Sequence, residues 1–218
     1  MFPISDSIPS RRIPFINVAI ILVTIYVFFQ QIIASNQEAF IAQYALIPVL
    51  VNFSDPQTLF PFITSIFLHG GFLHIISNMW FLWVFGDNVE THIPFVFYPL
   101  LYSLSGIVGG LSQYIFSPQS NIAMLGASGA VAGVLGAYYV LFPHSKIKTI
   151  VPFFGFATIV RVGAPFMLGY WFILQVFSGV TSLPSTGETG GIAFFAHVGG
   201  FVTGVFFAKL FKKEKYVL

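Results

Sequence analysis

Six long apolar segments constrain the fold of this chain more than any other feature. A helix needs roughly 20 apolar residues, with about 17 to 25 tolerated, to cross the hydrocarbon core of a bilayer. Within that core every backbone N–H and C=O must be hydrogen-bonded inside the protein, which a helix achieves by itself. We predict six spans, numbered in chain order, at residues 13–33, 72–85, 93–116, 127–142, 163–180 and 192–211. The sequence thus predicts an all-α, polytopic membrane protein built as a six-helix bundle.

The composition agrees with a membrane protein and excludes several other classes. Hydrophobic residues make up 56% of the 218-residue chain and charged residues 7%, whereas soluble domains carry about 25% charged residues. The chain has no cysteine, which excludes disulfides and thiolate metal sites. A zinc site is disfavoured because the His-Glu-x-x-His pattern does not occur and carboxylates are few. We therefore predict no metal.

The Lys and Arg residues fall in three regions of the chain. They are Arg11 and Arg12; Lys146, Lys148 and Arg161; and Lys209, Lys212, Lys213 and Lys215. Because cytoplasmic connections are enriched in Lys and Arg, we place both termini and the fourth connection in the cytoplasm, which requires an even number of spans. This supports six spans over five or seven. No basic face suited to a phosphate backbone is formed, so no nucleic-acid partner is expected.

We expect one membrane domain over residues 1–218, with a short cytoplasmic segment at 1–12 and a basic C-terminal tail at 209–218. The N-terminal segment lacks the apolar region of a cleaved signal, so the first span is expected to direct insertion. The connection 34–71 is unusually apolar and should pack against the bundle or lie in the membrane interface. The apolar segment 150–159 should be interfacial or re-entrant.

Four polar side chains lie near the same end of three predicted spans. The second, fourth and sixth spans begin on the outer side, and near these starts stand His74 and Asn78, Ser128, and His197 respectively. A residue five positions into a helix lies only about 8 Å below its first residue. We therefore expect the four groups to converge at one shallow depth. Ionisable residues inside membrane spans usually mark function.

Ser128 and His197 are the candidates for nucleophile and general base. Gly126 and Gly129 flank Ser128 closely and permit a tight turn there, and a serine needs a base within hydrogen-bond reach to attack a carbonyl. Glycines on the fourth and sixth spans would allow close helix packing that brings His197 to Ser128. Because those two spans and the fifth contain no Asp or Glu, we predict a Ser–His dyad. A serine between glycines, taken alone, is more often a packing residue.

His74 and Asn78 stand four residues apart on one helical face, and each can donate a hydrogen bond. Acyl transfer places negative charge on the carbonyl oxygen, and each donor aimed at it in a water-poor site can contribute about 3 to 4 kcal/mol. We predict an oxyanion hole formed by His74, Asn78 and the Ser128 backbone N–H. Metal ligation or helix packing are equally open roles for His74 and Asn78. His69 could bond loop backbone and brace the site.

Four segments carry a resemblance to a known family. They are residues 68–79 (LHGGFLHIISNM), 85–90 (FGDNVE), 126–129 (GASG) and 196–204 (AHVGGFVTG). In these segments, and in their order, the chain resembles the rhomboid intramembrane serine proteases from the first span to the sixth.

The resemblance implies a six-helix core with Ser128 as nucleophile, His197 as base, and His74, Asn78 and the Ser128 amide as the oxyanion site. It implies substrates that are single-pass transmembrane proteins, cut near the outer end of their membrane segment, and no metal or organic cofactor. It also implies that the fifth span and the loop after it, about 177–190, form a lateral gate and cap.

Two departures from the family pattern stand out. Many relatives have an aromatic residue that stacks on the base histidine at the position of Ala132, so another side chain must orient His197 here. The Trp-Arg pair common in the first outer loop is also missing. Two other functions stay open: a proteolytically inactive, rhomboid-like protein that binds membrane clients, and a small transporter. We expect a bacterial-type plasma membrane as the location.

Overall fold

The computed structural model describes residues 2–10, 12–153, 156–182 and 193–212. Its strands are β1 (Phe2–Asp6), β2 (Lys146–Phe153) and β3 (Phe156–Gly163). Its helices are α1 (Phe15–Ile33), α2 (Gln37–Tyr44), α3 (Pro61–Thr64), α4 (Phe72–His92), α5 (Phe97–Phe116), α6 (Ser128–Leu141), α7 (Ala164–Ser182) and α8 (Phe194–Lys209). Three 3₁₀ turns, at Pro48–Leu50, Pro56–Leu59 and Ser65–Phe67, lie between α2 and α4. The described chain is therefore mostly helical.

Each of the six predicted spans coincides with a helix, namely α1, α4, α5, α6, α7 and α8. By length and hydropathy, α1 and α7 could each cross a membrane among the described residues, and a third span results if α4 is joined to Pro56–Phe67 across an 80° bend. The helices α6 and α8 are apolar but shorter. The count of six spans therefore stays a prediction. Residues 183–192 and 213–218, which include part of the predicted cap and tail, lie outside the described ranges.

Helix α6 occupies the centre of the bundle. Eleven of its 14 residues are buried, and it contacts α4, α5, α7 and α8. A Cβ atom on Gly200 would collide with the carbonyl oxygen of Gly129, and one on Gly204 with the carbonyl oxygen of Gly133. The backbones of α6 and α8 therefore touch, which confirms the close glycine packing predicted between the fourth and sixth spans.

The expectation of an all-α fold is wrong in one region, because β1, β2 and β3 form an antiparallel sheet in the order β1-β2-β3. The segment 150–159, predicted to be interfacial or re-entrant, lies in the hairpin of β2 and β3. Alternation supports this structure: Ile147 and Thr149 are fully buried while Lys146 and Lys148 are exposed. Such a period of two is typical of a half-buried strand. The alternation lies before residue 150, and the described residues of the segment 150–159 do not continue it.

The connection 34–71 packs against the bundle, as predicted. Leu46 exchanges backbone hydrogen bonds with Met124, and its side chain is only 1% exposed. Phe62 and Ile66 are also buried. These contacts place α3 and the turn after it against α5 and α6, directly beside the start of α6.

A buried carboxylate ties the start of α1 to the end of α4. Glu90 accepts hydrogen bonds from the backbone N–H groups of Ile16, at 3.0 Å, and Asn17, at 2.6 Å. Both groups belong to the first turn of α1, where N–H groups have no helical acceptor and the helix dipole favours an anion. The Asn17 side chain accepts from the Tyr98 hydroxyl at 2.6 Å. Glu90 thus fixes the packing of α1 against α4 and α5.

A second carboxylate links the sheet to the bundle at the same end. Asp6 in β1 accepts from the Tyr138 hydroxyl at 2.5 Å and from the Asn88 amide at 2.8 Å. Burial raises the pKa of Asp6 above its ordinary value. The sheet is therefore attached to α4 and α6 at the end of α6 opposite Ser128.

Candidate active site

Ser128 is the first residue of α6, and the turn before it is held in place by several contacts. Gly126 has φ of +129°, a backbone conformation that favours glycine. A Cβ on Gly126 would stand 2.7 Å from the His74 ring, so glycine is also required by space. The Gly126 N–H donates to the Ser65 carbonyl at 2.9 Å. The turn therefore presents Ser128, which is half-buried, with its backbone N–H among the unbonded first donors of a helix.

His69 supports this turn through a hydrogen bond. Its Nε2 accepts from the Ala127 N–H at 3.4 Å, and the residue is fully buried. The Gln31 side-chain amide makes two hydrogen bonds to the backbone of His69: it donates to the His69 carbonyl at 2.7 Å and accepts from the His69 N–H at 3.1 Å. The prediction that His69 bonds loop backbone is confirmed. Helix α1 thereby supports the turn that carries Ser128.

His74, the third residue of α4, lies against the same turn. Its Nδ1 accepts from the Gly70 N–H at 3.3 Å. In a neutral imidazole the other nitrogen then carries the hydrogen, so Nε2–H of His74 is a donor, and this atom lies beside Gly126. Asn78, one turn further along α4 and 7% exposed, donates to the His74 carbonyl at 3.0 Å.

His197 lies in the first turn of α8 and is 9% exposed. The neighbouring residue Ala196 touches Gly129, since a Cβ on Gly129 would lie 3.4 Å from the Ala196 carbonyl oxygen. The residues flanking Ser128 and His197 are therefore in contact. Among the described residues, no hydrogen bond joins the Ser128 hydroxyl to His197; catalytic hydrogen bonds are often long without substrate and tighten when it binds.

Two side chains of α7 hold the His197 ring, and the sequence reasoning missed both. The Gln175 amide oxygen lies 2.7 Å from Nδ1 of His197, and the Trp171 ring packs 5.8 Å from the imidazole centroid at 33°. They contact the His197 ring in place of the aromatic residue that many relatives have at the position of Ala132, which is fully buried here. A signal was present, because Gln175 is the one amide side chain in the fifth predicted span.

The structure thus gathers the starts of α4, α6 and α8 at one end of the bundle. His74 touches the turn before Ser128, and the start of α8 touches the start of α6. Across the described ranges, no group of three His, Cys, Asp or Glu side chains is placed to hold a metal ion. The arrangement offers a hydroxyl, a buried imidazole and several N–H donors, the set of groups that acyl transfer requires.

Comparison with known proteins agrees with these residues. A family model described as "Rhomboid domain" matches residues 56–214. RHOMBOID-like protein 6, mitochondrial, of Arabidopsis thaliana is 30% identical over 65% of this chain and 40% of its own length. Rhomboid protein 1, mitochondrial, of Saccharomyces cerevisiae is 32% identical over 66% of this chain and 40% of its own. A Bacillus subtilis protein, YdcA, named as a candidate rhomboid protease, is 34% identical over 44% of this chain and 52% of its own.

The matched part of the chain thus spans about two fifths to one half of these relatives. Two of the three carry mitochondrial names. The expectation of a bacterial-type plasma membrane is therefore not supported.

Proposed function

The chain belongs to the rhomboid family, an integral-membrane family whose members are generally proteases, and we propose that it is an intramembrane serine endopeptidase. One observation carries the proposal: Ser128 begins α6 on a turn braced by His69 and His74, directly beside the first turn of α8 that holds His197. Packing alone requires neither a histidine at each of these positions nor a left-handed glycine before the serine.

In the proposed mechanism, Nε2 of His197 accepts the Ser128 proton as Oγ attacks the scissile carbonyl. An Oγ–C bond forms and the carbonyl oxygen becomes an oxyanion. The C–N bond then breaks, and His197 returns the proton to the leaving amine. Water, activated by the same imidazole, hydrolyses the acyl-enzyme and releases Ser128.

The oxyanion would be stabilised by three donors: the Ser128 backbone N–H, Nε2–H of His74 and the amide of Asn78. The first two fit the geometry directly, because one is an unbonded N–H at the start of α6 and the other faces the turn before it. Asn78 donates to the His74 carbonyl in the free protein, so it must rotate towards the substrate or act by fixing His74.

The proposed substrates are transmembrane proteins within the lipid bilayer. A helical segment hides its carbonyls in backbone hydrogen bonds, so the substrate must unwind near Ser128 to expose one. We place all 218 residues in one domain with six spans and both termini in the cytoplasm. Lys146 and Lys148 follow the end of α6 opposite Ser128. Because connections rich in Lys and Arg lie in the cytoplasm, we place the site towards the outer face.

A fluorophosphonate probe tests the proposal without a known substrate. Attack by Ser128 forms an Oγ–P bond and breaks the P–F bond, fluoride leaves, and the serine proton passes to His197. We expect wild type to be labelled at Ser128 alone, and Ser128→Ala and His197→Ala to lose labelling. Ser112→Ala is the matched control, because Ser112 is a half-buried serine that also packs against α8.

Cleavage of a reporter with a transmembrane segment should follow the same pattern. A folded wild-type protein that neither labels nor cleaves would overturn the proposal in favour of an inactive, client-binding rhomboid. Labelling that survives Ser128→Ala would refute the assignment of the nucleophile.

A further inference from the structure

Gln175 of α7 faces the histidine that the proposed function uses as base. Its amide oxygen, which can only accept a hydrogen bond, lies 2.7 Å from Nδ1 of His197. With this oxygen facing the ring, Nδ1 is the donor and carries the hydrogen. In the neutral ring the lone pair is then on Nε2, the nitrogen that a general base needs free.

This contact is part of a continuous interface between α7 and α8. Trp171, Gln175 and Gly179 are spaced four residues apart on α7 and so share one face. Trp171 packs on His197, and Gly179 approaches the Phe195 ring so closely that a Cβ would lie 3.2 Å from it. By contrast, Leu174, next to Gln175, is 40% exposed. Gln175 is thus placed on the inward face by packing on both sides.

A neutral acceptor suits this position. An acidic partner would have to lose its hydration inside an apolar bundle, which costs several kcal/mol per ion before any pairing. An amide oxygen orients the ring and selects the tautomer without that penalty. For histidines that bind a metal, removing the partner of the second ring nitrogen typically changes affinity or activity roughly 10- to 100-fold, and we expect an effect of this order for a histidine that acts as a base.

We infer that Gln175 is a positioning residue that fixes the tautomer of His197, so that the base is competent only while α7 is docked on α8. This inference rests on the proposed function. It adds a third residue to the dyad, supplied by a helix that carries neither the nucleophile nor the base. Trp171 packs against the ring of the same histidine.

Two substitutions at Gln175 separate positioning from packing. Gln175→Met keeps the length and apolar volume but removes the amide acceptor. Gln175→Glu keeps an acceptor oxygen, and its charge would favour the imidazolium form. The measurement is the second-order rate of fluorophosphonate labelling of Ser128 between pH 5 and 9, with thermal unfolding of the purified protein as the check on folding.

For Gln175→Met we expect a labelling rate roughly 10- to 100-fold lower across the pH range. For Gln175→Glu we expect substantial labelling whose acid limb moves to higher pH by about one unit or more, because a carboxylate beside a histidine raises its pKa. Gln30→Met is the matched control: it makes the same change at a half-buried glutamine of α1 outside the described hydrogen bonds, and its labelling should equal wild type.

A purely structural Gln175 predicts the reverse order, with Met tolerated and Glu damaging. That order, or an unchanged acid limb in Gln175→Glu, would overturn the inference while labelling of wild type and its loss in Ser128→Ala left the proposed function standing. If wild type itself is not labelled, the proposed function fails and the inference fails with it.

Discussion

The contact between Gly129 and Gly200 offers the sharpest test of how packing produces the site. Gly200 lies three residues after His197, and Gly129 follows Ser128. A Cβ at Gly200 would collide with the Gly129 carbonyl oxygen and lie 2.8 Å from the carbonyl carbon and 3.3 Å from Cα. These atoms are backbone and cannot rotate away. Gly200→Ala must therefore push α8 away from α6.

The size of the effect follows from this geometry. Ordinary contacts of a Cβ begin at 3.4 Å, so relieving the collision requires the helices to separate by on the order of 1 Å. Overpacking of this kind typically costs about 1 to 3 kcal/mol, and misplacing reactive groups by about 1 Å can lower a rate roughly 100-fold. We expect Gly200→Ala to lower the free energy of unfolding by about 1 to 3 kcal/mol. We expect it to lower the rate of fluorophosphonate labelling by up to about two orders of magnitude.

Gly169→Ala is the matched control. Gly169 lies in α7, where the nearest atom to an added Cβ is the Tyr139 ring at 3.9 Å. Alanine in a helix interior is favoured over glycine by roughly 0.5 to 1 kcal/mol, so this variant should be at least as stable as wild type. Reversible denaturation in mixed micelles and the labelling rate measure both variants. Wild-type stability and labelling in Gly200→Ala would refute the backbone contact between α6 and α8.

Three further outcomes are expected. Glu90→Gln removes the anion at the start of α1 and should lower the free energy of unfolding by about 1 to 2 kcal/mol in denaturation experiments; equal stability would refute this cap. His69→Ala leaves the N–H of Ala127 without its acceptor and should slow labelling of the nucleophile with little change in the acid limb, whereas an unchanged rate would show that the turn holds itself. Because burial raises the pKa of Asp6, the contribution of this residue to stability should be greatest below its ordinary pKa and be lost as pH rises through the raised value; Asp6→Asn should weaken the pH dependence of stability, while the exposed control Asp55→Asn retains it in full.

Much of the candidate site could be predicted because polar side chains stand out in apolar segments. His74, Ser128 and His197 were placed near the starts of three helices from hydropathy and residue spacing alone, and the structure has them in the first turn of α4, α6 and α8. The close packing of α6 on α8 was also predictable, because glycine rows have few other uses inside a membrane helix.

Other features depended on contacts between residues far apart in the chain. The strand β1 pairs with β2, which lies more than 130 residues away in the chain. No local sequence pattern predicts which distant strand β1 pairs with. In the sequence, Glu90 is a single charged residue near the end of one helix. Its role as a cap for the start of α1 follows only from the way α1 packs against it.

The sequence alone indicated which residues are the candidates for catalysis and how far along each predicted helix they lie, because residue type marks the candidates and a fixed rise of 1.5 Å per residue gives the depth. Only the tertiary structure decided which side chains face one another. The rotation of α7 about its axis turns Gln175 and Trp171 towards His197, and that rotation follows from the packing of aromatic rings and glycines on two helices at once. Depth is a local property of a helix, whereas the facing of side chains is a property of the bundle.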